Sequence, residues 1–201
     1  MVLFRFAKWA CDRLIEEADI GKNIIFSDEA YFDLGGYVNK QNLLHLGHRK
    51  PARIHWKADA PKTSYCLVRI WSRGIIGPFF FENEQGEAVT VNFERCRAML
   101  NEYLFTKIEE ENIGSIWFQQ DGATLHTAEA TLDVLRPVFE DRIISRRTDV
   151  VWLPRSCNLT ALDYYLYGAV KHKCYTDKPD IISALKDNIR EAIDEIEVAL
   201  V

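Results

Sequence analysis

The chain has 201 residues, of which 48% are hydrophobic and 27% charged, as in an ordinary soluble globular domain. The net charge of −5 argues against a nonspecific nucleic-acid binder, and no apolar run approaches the ~20 residues that span a bilayer. The five cysteines include no Cys-x-x-Cys pair, which predicts neither a zinc site nor a disulfide framework, and no targeting segment is recognised, so we expect cytosol or nucleus.

The first half of the chain opens with a helical pattern and continues with strand patterns. Apolar residues at three- and four-residue spacings predict a helix over about residues 4–20, stopped near Gly21. The segment 23–32 predicts a strand with an acidic pair, Asp28 and Glu29, in its interior. Acidic residues are rare inside strands, so we expect this pair either to face water at an edge or to meet a cation. Shorter strands are predicted at 37–38, 53–56, 65–71 and 79–81.

Basic residues are concentrated between residues 46 and 74, where Lys and Arg far outnumber the single acid. Such a segment could contact nucleic-acid phosphates, or it could be a solvated strand face. The residues that we select as candidate DNA contacts are Arg49, Lys50, Arg53 and Lys57.

The second half of the chain alternates helical and strand patterns. Asn92 is a possible cap for a helix that continues to about residue 108. The apolar strand 116–120 ends abruptly at Asp121, and Asp163 falls in the first turn of a later helix. The other predicted elements are a helix at 127–139, a strand at 148–154 and an amphipathic helix at about 179–197. This order predicts an α/β fold in which helices pack on both faces of a mixed sheet.

Three aspartates fall at comparable places in the predicted sheet, namely Asp28, Asp121 and Asp163. Ligands of open α/β sheets bind at the carboxyl ends of the strands. Three carboxylates that meet there cannot all remain ionised without a cation, and Mg²⁺ with oxygen ligands suits phosphoryl chemistry. Each acid also has a structural alternative, since Asp121 suits a turn and Asp163 suits the first turn of a helix.

Five motifs, taken in order, resemble the catalytic domain of mariner-like cut-and-paste DNA transposases of the DDE superfamily. The resemblance extends over nearly the whole chain and implies one ribonuclease H-like domain over residues 1–201, with a five-stranded mixed sheet flanked by helices. The motifs are FSDEAYF at 26–32, GGYVNKQN at 35–42, GIIGPFFF at 74–81, QQDGATLH at 119–126 and PRSCNLTALDYY at 154–165.

The resemblance also implies a site and a reaction. It places the catalytic, metal-binding acids at Asp28, Asp121 and Asp163, with two Mg²⁺ or Mn²⁺ ions that activate water and then a 3′-hydroxyl. His126 matches a histidine of the family, either near the metals or in a structural role. Glu29 is expected to face away from the metals if Asp28 faces them, because adjacent strand residues point to opposite faces. The implied partners are double-stranded DNA, at transposon ends and target, and a second copy of the chain, in the nucleus.

The sequence departs from the family pattern near the third aspartate. Asn158 replaces a carboxylate, although it can still cap the next helix, and Ala161 replaces a proline and is expected to loosen the placement of Asp163. The family's N-terminal helix-turn-helix region has no counterpart in these 201 residues, so we do not expect them to recognise element ends. Two alternatives stay open: an inactive transposase relic or recruited DNA- or protein-binding module, and an RNA-cleaving nuclease of the same fold.

Overall fold

A mixed β-sheet forms the framework of the protein. The computed structural model describes residues 2–35, 63–153 and 160–196, except the side chain of Tyr164. The strand order is β3-β2-β1-β4-β5-β6, and β1 pairs antiparallel with β2 and parallel with β4. The strands are β1 (Ile24–Asp33), β2 (Thr63–Trp71), β3 (Gly74–Phe80), β4 (Trp117–Gln120), β5 (Ile143–Ser145) and β6 (Val150–Val151).

The described part of the sheet has six strands, one more than the five that were expected. Strand β5 was not predicted from the sequence, because three residues are too few to display an alternating pattern. It pairs parallel with β4 and with β6, and β6 is the paired part of the strand predicted at 148–154. The predicted strands at 37–38 and 53–56 lie outside the described residues.

Helices flank the sheet, and most of them lie where the sequence predicts helices. The N-terminal helix ends at Glu16, earlier than predicted, and Gly21 lies in a separate 3₁₀ turn at Ile20–Asn23. Asn92 is confirmed as a cap, since its Oδ1 accepts a hydrogen bond of 2.8 Å from the Arg95 amide. No helix in the described ranges is long and apolar enough to cross a membrane. The helices are α1 (Val2–Glu16), α2 (Phe93–Met99), α3 (Phe105–Glu110), α4 (Glu129–Phe139), α5 (Tyr167–Cys174) and α6 (Ile182–Asp194), with π-helical turns at Leu100–Leu104 and Leu162–Leu166.

Apolar side chains cover both faces of the sheet, as the period of two along its strands requires. On one face, Ile25 and Leu67 pack against residues of α2, α3 and α4. On the other face, Ala30 and Phe32 pack against α5 and α6, while Ile24 packs in a smaller cluster beside α1. The helices therefore bury both faces, as the α/β prediction requires.

Candidate active site

Asp28 lies in the interior of β1, on the face of the sheet that α5 covers. It is opposite Val68 of β2, and its Oδ1 accepts a hydrogen bond of 2.9 Å from the Glu29 amide. The buried hydroxyl of Tyr167, in α5, donates to the backbone carbonyl of Asp28. The strand ladder and α5 therefore both fix this acidic residue.

Asp163 reaches Asp28 from the helical segment that packs on this face. It lies in the π-helical turn before α5, and its carboxyl group is close enough to Asp28 for each to change the pKa of the other. Asp163, Tyr167 and Lys171 are spaced four residues apart, which aligns them along one side of the helical segment. Lys171 is 8% exposed, and its positive charge acts on Asp163. The helix thus brings one acid, one hydroxyl and one ammonium group to the same strand.

The two carboxyl groups strongly perturb each other. Burial, followed by the negative charges of Asp163, Glu29 and Asp121, raises the pKa of Asp28 to about 8. Burial also raises the pKa of Asp163; the nearby Asp28 carboxyl group and the charge of Lys171 oppose this rise, and the charge of Asp121 adds to it. Asp28 is therefore largely protonated at neutral pH.

Asp121 joins this pair from the end of β4. The parallel register sets Gln120 beside Ser27, so the next residue of each strand is Asp121 and Asp28. Its Oδ1 accepts hydrogen bonds from the Ala123 amide at 3.0 Å and from His126 Nδ1 at 2.6 Å. Burial alone would raise the pKa of Asp121, but the hydrogen bond and positive charge of His126 lower it below its ordinary value. Asp121 is thus the one aspartate of the three whose pKa is lowered, which favours its ionised form.

His126 lies between two carboxylates in the loop that follows β4. Its Nδ1 is 2.6 Å from Asp121 Oδ1, and its Nε2 is 3.0 Å from Glu29 Oε1. The residue is 5% exposed, and its backbone carbonyl accepts a hydrogen bond of 2.9 Å from Gln120 Nε2. Burial lowers the pKa of His126, but the charge of Glu29 and the hydrogen bond to Asp121 raise it well above its ordinary value. His126 therefore links an acid of the site to a strand residue that points to the other face.

The structure thus brings the three sequence-predicted aspartates into one charge-coupled group and sets His126 against Asp121. Glu29 points away from Asp163, as alternation along β1 predicts, yet it contacts this group through His126. Sequence reasoning missed Lys171. Its place eight residues after Asp163 was an available signal, because residues with this spacing lie on the same side of a helix. Ala161 packs against the cluster of Ala30 and Phe32. Five selected residues lie outside the described part, namely Arg49, Lys50, Arg53, Lys57 and Asn158.

The carboxyl groups fit a hard divalent cation by their chemistry. Oxygen ligands are those that Mg²⁺ and Mn²⁺ prefer, and a cation would relieve the crowding that raises the pKa values of Asp28 and Asp163. Among the described residues, however, no three His, Cys, Asp or Glu side chains are already arranged around a single ion position.

Comparison with solved structures identifies one protein repeatedly, the Mos1 mariner transposase. Its catalytic domain is 18% identical with a TM-score of 0.67, and the match covers 98% of this chain and 82% of that chain. The same domain with raltegravir and Mn is 17% identical with a TM-score of 0.66, over 96% of this chain and 80% of that one. The Mos1 paired-end complex with the left transposon end is 18% identical with a TM-score of 0.71, over 96% of this chain.

This chain spans about half of the transposase in that complex, 53% of its length. The sequence matches no family model, and no curated protein is significantly similar to it. At such low identity a structural likeness establishes the fold alone. The chain therefore has the ribonuclease H-like fold of the Mos1 mariner transposase catalytic domain.

Proposed function

We propose that the chain is the catalytic domain of a mariner-like DNA transposase, which cleaves DNA strands and transfers them with the help of divalent metal ions. Asp28, Asp121 and Asp163 are the catalytic acids of this proposal. The observation that supports it is the approach of these three acids, which are distant in sequence, to one edge of a sheet with the transposase fold. An assembly of mutually repelling carboxyl groups is typical of a site that binds cations.

Asp28, Asp121 and Asp163 would hold the Mg²⁺ or Mn²⁺ ions, two in the active form. With these ions bound, the chemistry available at the site is activation of water or of a 3′-hydroxyl for attack on a phosphodiester. Mos1 catalytic-domain structures with Mg and with Mn support this choice of metal by analogy.

The other residues of the site position the three acids and offset part of their negative charge. Tyr167 holds the backbone of Asp28, and His126 orients Asp121 by a hydrogen bond of 2.6 Å. Lys171 limits the net negative charge beside Asp163. In this proposal none of the three moves a proton to or from the substrate.

The proposed substrate is double-stranded DNA, at transposon ends and at the target. Mos1 structures with a transposon end and in a strand transfer complex support this choice by analogy. Arg49, Lys50, Arg53 and Lys57 are the proposed DNA contacts. Assembly as a homodimer and action in the nucleus belong to the same proposal.

Metal binding tests the proposal first. We expect Mn²⁺ to raise the Tm of the wild-type protein but not that of Asp121→Asn, which lacks one ionised ligand. Asp141→Asn is the matched control, because Asp141 is exposed and lies outside the candidate site. Equal shifts in all three proteins would contradict a metal site at Asp121.

Plasmid nicking then tests the reaction. The wild-type protein should nick supercoiled duplex DNA in the presence of Mn²⁺, and Asp163→Ala should not. A wild-type protein that binds Mn²⁺ without nicking DNA would instead favour the silent DNA- or protein-binding module. The lack of a preformed arrangement around one ion, among the residues that the structure describes, is the observation that keeps this second candidate in view. Faster cleavage of an RNA–DNA hybrid than of duplex DNA would identify a ribonuclease.

A further inference from the structure

Four charged side chains form a row from the interior of the sheet to the candidate active site. The row begins at Arg69 in β2, continues through Glu29 in β1 and His126, and ends at Asp121. The charges alternate in sign, so each member has an opposite charge as its neighbour. The function proposed above uses only the last two members, Asp121 as a metal ligand and His126 as its hydrogen-bond donor.

Arg69 is the fixed beginning of the row. It is 0% exposed and lies opposite Ser27, two residues before Glu29 along β1, so Arg69 and Glu29 share one face of the sheet. Its Nη2 is 2.7 Å from Met99 Sδ, while Nε and Nη1 have no hydrogen-bond partner among the described residues. A buried guanidinium group with so few partners needs an opposite charge nearby, and Glu29 contributes most to that attraction.

The His126 ring is held from both sides. Ionised carboxylates only accept hydrogen bonds, so a ring with a carboxylate at each nitrogen must donate from both. A ring held by one nitrogen can still rotate, whereas a ring held by both keeps its orientation. The position of the Glu29 carboxylate thus decides the direction from which Nδ1 approaches Asp121.

We propose that Glu29 is a positioning residue for Asp121 that acts through His126. This inference rests on the proposed function, because Asp121 is there a metal ligand. Glu29 itself touches neither metal nor DNA. Side chains that orient a ligand in this way typically change metal affinity 10- to 100-fold when they are removed, by general experience with metal sites.

Metal affinity gives the first test, measured as the Kd for Mn²⁺ by calorimetry without DNA. Glu29→Ala should weaken binding about 10- to 100-fold. Glu29→Gln should retain most of the affinity, because its amide oxygen still accepts the Nε2 hydrogen bond. The double variant Glu29→Ala/His126→Ala should bind Mn²⁺ no more weakly than His126→Ala alone, since Glu29 acts only through the ring. An unchanged Kd in Glu29→Ala, or effects that multiply in the double variant, would overturn the proposal.

A second test needs no metal and separates this inference from the proposed function. In protein labelled with ¹⁵N at histidine, the His126 Nδ1–H resonance should be visible, because its proton is buried and hydrogen-bonded. This resonance is assigned as the one that disappears in His126→Ala. We expect Glu29→Ala to shift or broaden this resonance and Glu29→Gln to preserve it. An unperturbed resonance in folded Glu29→Ala would overturn the positioning role even if Mn²⁺ does not bind. Failure of wild type to bind Mn²⁺, with the expected NMR result, would count against the proposed function alone.

Discussion

Asp28 is a carboxyl group in the interior of a sheet, with two other acids and Glu29 close enough to repel its charge. Folding therefore raises its pKa from an ordinary value of 3.8 to about 8. Well below pH 3.8 the group is protonated in both the folded and the unfolded state and does not oppose folding. As the pH rises towards 8, the unfolded chain releases this proton and the folded chain does not, so stability falls across this range.

The variant Asp28→Asn removes this effect. In EDTA at pH 8 we expect its Tm to exceed that of wild type by roughly 4–8 °C, or about 2 kcal/mol for a chain of this size. The reason is that an amide stays neutral at every pH and carries no charge for the other acids to repel. Thermal melts at several pH values between 5 and 8 would measure the difference, which should grow with pH.

The control for this experiment is Asp141→Asn, at an exposed position, which should follow the wild-type pH dependence. A lower Tm for Asp28→Asn than for wild type at pH 8 would contradict the account of crowding. Addition of Mn²⁺ should stabilise wild type but not Asp28→Asn. The difference in Tm between the two proteins should therefore narrow or change sign.

Some residues of the candidate site could be predicted from the sequence, and others could not. Asp28, Asp121 and Asp163 were predictable because each stands at a recognisable point of an element or motif. The contact between His126 and Glu29 was not, because it depends on the fold of the loop after β4 and on the buried Gln120 amide that holds His126. Arg69 resembled a member of the basic segment, yet it is fully buried.

At the scale of elements, periodicity located the long helices and strands better than their ends. The pattern of α1 continues past Glu16 in sequence, but the chain turns into the 3₁₀ segment before Gly21. Short strands such as β5 depend on pairing with neighbours rather than on their own residues, so the sequence carries little signal for them. These errors in predicting element ends and short strands do not affect the prediction of the site, because the site depends on β1, β4 and α5.

One ion pair between a buried lysine and an exposed glutamate connects two elements away from the site. Lys186 of α6 is 7% exposed, and its ammonium group contacts the Glu82 carboxylate and donates to the Gly86 carbonyl at 2.9 Å. These contacts tie α6 to the loop after β3. The same ammonium group lies 5.8 Å from the centre of the Phe80 ring.

Removal of the acid from this pair should destabilise the protein. We expect Glu82→Ala to reduce the free energy of unfolding by about 1–3 kcal/mol, because it leaves a buried ammonium group with only a carbonyl partner. Urea denaturation measures this change. The double variant Glu82→Ala/Lys186→Met should regain most of this stability, since methionine buries no charge. A double variant as unstable as Glu82→Ala would mean that the charge is not the cause.

At the scale of the whole molecule, charge is unevenly distributed, because the candidate site is rich in acids and the segment between residues 46 and 74 is rich in bases. The acids of the candidate site would repel DNA phosphates without bound cations, so binding requires positive charge elsewhere. The basic segment between residues 46 and 74 is the richest source of positive charge in the sequence. Contact of this segment with DNA remains a prediction.

Reversal of two of these charges tests the segment. We expect Arg53→Glu/Lys57→Glu to weaken DNA binding and to reduce the slope of log Kd against log salt by roughly 0.9 for each phosphate that the protein no longer neutralises. Fluorescence anisotropy with a labelled duplex at several salt concentrations would measure the slope. Arg136→Glu/Arg190→Glu provides a matched reversal at exposed positions of α4 and α6 and should leave the slope nearly unchanged. An unchanged slope in Arg53→Glu/Lys57→Glu would rule this segment out as a phosphate-binding surface.

The three acids differ in their freedom to move. Asp28 belongs to a ladder that pairs β1 with β2 from Phe26 to Asp33, whereas Asp121 follows the last paired residue of β4 and Asp163 lies on a helical turn. Displacement of Asp28 would break several strand hydrogen bonds, but a loop or a helix can shift with its own bonds intact. Asp28 is therefore the stationary reference of the cluster. If the site binds an ion as proposed, we expect Asp121 and Asp163 to change position more than Asp28.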